Sequence, residues 1–489
     1  MVGTTERLAG FVADFRYEGL PPAVVREAKR LLLDTVGCAI GATETESGRI
    51  ALEYARELGG NSDATVVGTG EQTSATVAAY ANGRLANVLD ADDTFPTGSH
   101  FGCSTVFSAL ALGERQHRSG RDLLAAIAIG FDVGARVGSA IGLPILIEDG
   151  KVVGYRSLYG VATTMTWAAA GAAARIAGLD GATVTEAFGI AGANTPIPAH
   201  AKWAASVRLP MQKYADAGWC AQIGVSAALL AGLGSTGYAD ILDGDPSLFR
   251  FVGGDSCDFD QLTGGLGETW QLLQTTYKPW PSCRWTHYPL TAFIELKREH
   301  GLRVEEIDRV VVRANPMAQS ARFHNAQPAR EIDAEFSHAH VMAMGAFDVP
   351  AGPRWYSPEV LSSPEIAAFR QRVTVELEPS AVNLAQWMEG GQFRRIPGGV
   401  DVHARGEIFS AAAEMAWGDP WSEKTIFSDE ALREKFTRML AGGGVAPAQR
   451  GRQADEIIAA VDHLEEIDDL AEFGRLLATG AGSPLAATA

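Results

Sequence analysis

The chain has 489 residues, 46% of them hydrophobic and 20% charged, which suits a folded protein of roughly two to four domains and excludes a disordered one. Its formal charge of −18, from 59 acidic against 41 basic side chains, argues against nucleic acid and against an anionic membrane surface, because both need a basic face. A small anionic carboxylate is compatible with that charge, since a few local cations outweigh a distant net charge.

In chain order, the first segment carries charges where an export signal needs an apolar run, so a cytoplasmic protein is expected. "PPAVVREAKRLLLDTVGCAIGA" (21–42) opens on prolines and places apolar residues at helical spacing. Segments 104–118, 120–142 and 183–194 repeat that style. The uncharged stretches 157–174 and 217–239 are long, but Ala, Gly, Ser and Thr dominate them, which predicts closely packed core helices rather than membrane spans. Short β-branched runs then mark strands at 307–315, 372–381 and 400–409, between helical segments at 290–301 and 337–347. Amphipathic helices return from 429. The pattern predicts a mainly α protein: a helical domain over 1–265, an inserted smaller α+β, lid-like domain over 266–410, and a helical C-terminal part over 411–489. Five scattered cysteines, with no C-x-x-C pair, indicate neither a zinc ribbon nor a disulfide framework.

Three segments concentrate chemistry. "LDADDTFPTGSHFGCSTV" (89–106) gathers Asp90, Asp92, Asp93, Thr94 and His100 where Gly and Pro break the helix. Its carboxylates can cap helices, hold a metal, or serve an acid–base site in which Asp90 orients His100 and Thr94 touches substrate. "RLPMQKYADAGWCAQIG" (208–224) places Lys213 in a loop before an apolar helix. "YKPWPSCRWTHYPL" (277–290) packs Lys278, Arg284 and His287 among aromatics and prolines, suiting either a carboxylate pocket or a domain junction; its prolines predict a backbone that is not a plain helix. His338 and His340, at 337–347, fall on different faces of a helix and do not make a joint metal site.

In this order the segments resemble the MmgE/PrpD superfamily, which contains 2-methylcitrate dehydratases, cis-aconitate decarboxylases and iminodisuccinate epimerases. The resemblance covers nearly the whole chain and is carried by "LLLDTVGCAIGA", "LDADDTFPTGSHFGCSTV", "GAAARIAGLD", "MQKYADAGWCAQIGV" and "KPWPSCRWTH". It implies a catalytic set of Asp90, His100, Lys213 and Lys278, with Thr94, Arg156, Arg284, His287 and His340 at substrate. It also implies a homodimer, a cleft between the helical and smaller domains, and no metal or organic cofactor. Three positions depart from the family pattern: Gly154-Tyr155-Arg156 replaces a G-x-H, Asp216 replaces a histidine, and His340 replaces a tyrosine.

Such residues suit carbon-acid chemistry. Lysines in a shielded cleft stabilise charge developing next to a carboxylate, and a histidine moves protons near neutrality. Arg156 would hold a substrate carboxylate by its fork. The expectation is a hydro-lyase acting on a small polycarboxylate; the alternatives are an epimerase, a decarboxylase, or a ligand-binding homologue without turnover.

Overall fold

The computed structural model describes residues 3–254 and 257–478, so residues 479–489 of the expected C-terminal part lie outside it. The protein is mainly α-helical. Its centre is the helix Val161–Ala177, packed against Gly120–Ile141, Ala217–Gly232 and Gly102–Arg115. Small residues set the spacing: a Cβ on Gly130 would lie 2.5 Å from the Ala172 Cβ, and one on Gly134 would lie 2.6 Å from that of Ala168. The alanine-rich stretches are therefore contact faces between helices.

Helix Gly120–Ile141 is long and apolar enough to cross a membrane by length and composition, but 94% of its apolar window is buried inside the fold. It is a core helix. The stretch 157–174 contributes most of Val161–Ala177, and 217–239 becomes a helix only over Ala217–Gly232.

A four-stranded sheet follows, in the order Glu407–Ala413, Gly398–Ala404, Ile307–Ala314, Val373–Leu377. The first two pairings are antiparallel and the last is parallel, with helix His338–Ala346 on the crossover. Helix Arg284–Glu299 packs against the sheet. Two differences from the sequence reading stand out. The expected strand at 400–409 is a hairpin, because Arg405 and Gly406 both take positive φ (56° and 75°), as a two-residue turn requires. Helix Arg284–Glu299 also starts inside the proline-rich segment and contains Pro289, which removes one backbone bond near the helix start.

After the sheet the chain returns to the helical layer. Helix Asp429–Met439 packs on Pro22–Ala42, where a Cβ on Gly37 would meet Phe436 at 2.8 Å. This return brings Lys435 to the loop that follows helix Ala75–Val88.

Candidate active site

That loop begins with Asp90 in the left-handed region, φ 50°. The strain is held by lysines from three distant parts of the chain. Lys213 Nζ donates to the Asn87 carbonyl, Lys278 Nζ to the Asp90 carbonyl at 2.8 Å, and Lys435 Nζ to the Ala91 carbonyl. Lys435 also binds Asp34 Oδ1 at 2.6 Å, and both groups are buried. The carboxylate of Asp90 completes the cradle: its Oδ1 lies 3.2 Å from Lys213 Nζ and 3.4 Å from Lys278 Nζ. Burial alone pushes the Asp90 carboxyl up, but the two ammonium groups outweigh it and hold the group down at about 2.

Asp92 and Asp93 have separate tasks. Asp93 accepts from the Phe101 and Gly102 amides at 3.1 and 2.8 Å, which caps helix Gly102–Arg115. Asp92 accepts twice from Asn87 Nδ2, and its Oδ2 faces His100 Nδ1 at 3.5 Å. Burial opposes ionisation of Asp92, and the neighbouring imidazole pulls the group below the usual carboxylate range. The residue that faces the histidine ring is thus Asp92, where the sequence reading expected Asp90; Asp90 is taken up by the lysines.

On its other side His100 Nε2 lies 2.9 Å from the Tyr214 hydroxyl. Burial and the Asp90 charge raise the Tyr214 phenol well above its ordinary value, so the hydroxyl keeps its proton. Tyr214 stacks on His200 (4.5 Å between ring centres, 24°), and His200 stacks on Tyr155 (5.7 Å, 18°). Burial, aided by Arg322, pushes His200 down to about 3, which keeps it neutral.

These groups open on a cavity in the protein. Asp90, Thr94, His100, Lys278 and Arg284 line it, as do Tyr155, His200, Tyr214 and Arg322. Thr94 and Thr276 exchange backbone bonds at 2.9 Å, which seats Lys278 beside the loop. Arg284 is committed elsewhere. Its guanidinium pairs with Asp419 at 2.5 Å and donates to the Trp417 carbonyl at 3.1 Å.

Four expected site residues do not line the cavity. Lys213 sits behind Asp90, with Glu335 Oε2 at 3.2 Å. Burial drives the Glu335 carboxyl well up, against the opposing pull of Lys213. Arg156 lies over the Tyr159 ring at 5.6 Å instead of pointing into the cavity. His287 donates from Nε2 to the Ser282 carbonyl and accepts from Arg284 at Nδ1, and so holds Arg284 in place. His340 donates to the Trp355 carbonyl at 2.9 Å, with burial pushing it down to about 3. Asp216, another departure from the family pattern, caps helix Ala217–Gly232 and pairs with Arg84.

Sequence reasoning passed over Tyr214, His200, Tyr155, Arg322 and Lys435. One signal was available for Tyr155: Asp149-Gly150, a two-residue turn pair, joins strands Ile145–Glu148 and Lys151–Tyr155. Among the described residues, Asp90, Asp92 and His100 form the group with metal-ligand spacing, their ligand atoms within 4.8 Å of one another. A divalent ion there would face the ammonium groups already on Asp90, so this donor set suits protons better than a metal.

The fold and cavity define a mainly α-helical protein with a buried lysine–aspartate–histidine site. Residues 6–259 match the MmgE/PrpD N-terminal domain and residues 280–463 the MmgE/PrpD C-terminal domain. The chain belongs to the MmgE/PrpD family. It is similar to the cis-aconitate decarboxylases of Mus musculus, 25% identical over 97% of this chain and 93% of that protein, and of Homo sapiens, 25% identical over 97% and 94%. It is also similar to that of Aspergillus terreus, 23% identical over 96% of each.

Proposed function

We propose that this chain is a cofactor-independent lyase that removes a carboxyl group, as CO2, from an unsaturated carboxylate and then protonates the carbanion left behind. The observation that carries this reading is one proton relay, Asp92–His100–Tyr214, opening on the same cavity as Lys278. Breaking the C–CO2 bond leaves its electron pair delocalised toward a remaining carboxylate. The Lys278 ammonium stabilises that charge in a site where water screens little. Tyr214 gives its proton to carbon while protonated His100 re-protonates the phenol, and Asp92 balances the imidazolium. Lys213 and Lys435 act by holding the loop.

Dehydration, the reading expected from the sequence, needs a base for carbon and an acid for the departing hydroxide. The further imidazole on the cavity, His200, is held neutral, which makes it a poor partner for either task. Decarboxylation needs no base and one acid, and it is the activity that the similar proteins' names state. Epimerisation would use the same stabilised carbanion without loss of carbon. In this reading the segment between 266 and 410 supplies the lid-like wall of the reaction space, through Lys278, Trp285, Met317 and Phe393.

The test is a panel of unsaturated di- and tricarboxylates, cis-aconitate among them, assayed for CO2 and for product mass in heavy water. The expected result is one CO2 and one new C–D bond per turnover, reduced about 10²-fold or more in His100→Gln. Loss of water without CO2 would establish the hydro-lyase instead, and deuterium exchange alone would establish the epimerase.

A further inference from the structure

The wall facing the charged loop belongs to a different part of the molecule. A second apolar cluster, separate from the main core, contains Leu143, Ile145, Tyr288, Met317, Phe393 and Ile396, and all six line the cavity. Trp285 packs on Phe393 edge to face, at 6.2 Å between ring centres. A cluster of this kind, turned toward a cavity instead of toward the protein core, offers apolar surface that a compact tricarboxylate leaves unused.

The charges around the cavity point the same way. Lys278 lines the cavity and shares the carboxylate of Asp90 with Lys213, which stands behind it with Glu335 at 3.2 Å. Arg284 is paired with Asp419. Arg322 is the second such cation. It is 4% exposed and lines the cavity, its Nε has no hydrogen-bond partner, and no carboxylate among the described residues pairs with it. Its guanidinium lies over Trp203 at 4.6 Å and donates to the Ala204 carbonyl at 3.1 Å. A buried guanidinium without an anion is costly, and an incoming carboxylate relieves that cost.

We propose that the substrate is an unsaturated dicarboxylate bearing an apolar arm of aryl or branched-alkyl size, with Arg322 binding one carboxylate and the Leu143–Ile145–Phe393 wall binding the arm. The inference rests on the lyase reading only for the reacting end of the molecule. Two cations that line the cavity, Lys278 and Arg322, match two carboxylates, and the apolar cluster takes the place of a third. Arg322 is then the specificity-determining cation that Arg156 was expected to be.

Binding of three inert probes to the purified wild-type protein tests this, followed by calorimetry or by the fluorescence of Trp203, Trp285 and Trp421, which line the cavity. The probes are benzylsuccinate (two carboxylates and an aryl arm), succinate (two carboxylates, no arm) and tricarballylate (three carboxylates). Benzylsuccinate is expected to bind about tenfold tighter, or more, than either of the others. Phe393→Ala should remove most of that advantage and leave succinate unchanged, and Arg322→Gln should weaken both. The proposal is overturned if tricarballylate binds as tightly as benzylsuccinate, if benzylsuccinate does not bind, or if Phe393→Ala weakens both dicarboxylates equally. Because the wild-type comparison stands alone, a variant that fails to fold does not remove the test. Turnover is scored separately on unsaturated analogues of each probe. Tight benzylsuccinate binding without any CO2 release would sink the lyase reading and leave the pocket assignment standing. CO2 release from cis-aconitate with tight tricarballylate binding would do the reverse.

Discussion

The two walls of the cavity are built by opposite means. The wall of Asp90, Asp92 and His100 is a strained loop whose backbone carbonyls are held by Lys213, Lys278 and Lys435, with its carboxylates fully buried. The facing wall is assembled from two hairpins (Ile145 and Phe393), a helix start (Tyr288), a 3-10 turn (Met317) and two loop residues (Leu143 and Ile396), and its side chains are apolar or aromatic. Charge placed with that many partners is expensive to move, so the first wall fixes the reaction. Apolar residues pack interchangeably at small cost, so the second wall can set which molecule enters. Mutations should therefore separate cleanly: the charged wall changes kcat, and the apolar wall changes affinity.

The largest effect should come from the part of the charged wall furthest from substrate. Lys435→Met leaves Asp34 buried without its partner and should cost about 3–5 kcal/mol in urea unfolding. Pairing it with Asp34→Leu should restore most of that stability. The Ala91 carbonyl stays unheld in the double variant, so its kcat should remain low with KM unchanged; full recovery of kcat would make Lys435 merely structural.

Next in size, Lys278→Met should lower kcat about 10²- to 10³-fold, since it removes the cavity cation nearest the developing charge. Steady-state kinetics on an active panel member would show it. A smaller loss, about 10- to 100-fold, is expected for Tyr214→Phe, which keeps the stack on His200 and deletes the hydroxyl of the relay. If instead the loss in Tyr214→Phe is all in KM, the phenol binds substrate and carries no proton.

The smallest effect is one of pH. Asp90 is held at about 2 when folded, below its ordinary value of 3.8, so the unfolded chain binds more protons between those values. Stability from this group is fully present above about pH 4 and is lost as pH falls through about 2, on the order of 2 kcal/mol in all. Urea midpoints measured from pH 2.5 to 5 should rise with pH, and the rise should be shallower in Asp90→Asn. Binding at the apolar wall should show no such slope.

The same contrast explains what could be read from the chain. Asp90, Thr94, His100, Lys213 and Lys278 fall in three segments where ionisable residues interrupt apolar helices, and the structure brings all five to one place. Their division of labour was not readable. Whether Asp90 or Asp92 faces His100 depends on a positive φ at one residue, and whether a lysine reaches the cavity or stands behind a carboxylate depends on packing. Lys435 looks like any lysine in an amphipathic helix; only the return of that helix onto Pro22–Ala42 buries it. The apolar wall draws on residues from Leu143 to Ile396, each of which reads as ordinary core in its own segment. The run 400–409 hides its hairpin for a local reason: Arg405-Gly406 lacks the usual Asn or Asp at the first turn position, whereas Asp149-Gly150 carries that signal plainly.

The most direct measurement is a pair of kinetic constants for two variants on the same active dicarboxylate. Lys278→Met and Ile145→Ala remove one side chain from each wall. The account expects Lys278→Met to lose kcat about 10²-fold or more, while Ile145→Ala raises KM several-fold and keeps kcat within about twofold. A fall in kcat of similar size in both would contradict it, because the apolar wall would then be part of the chemistry.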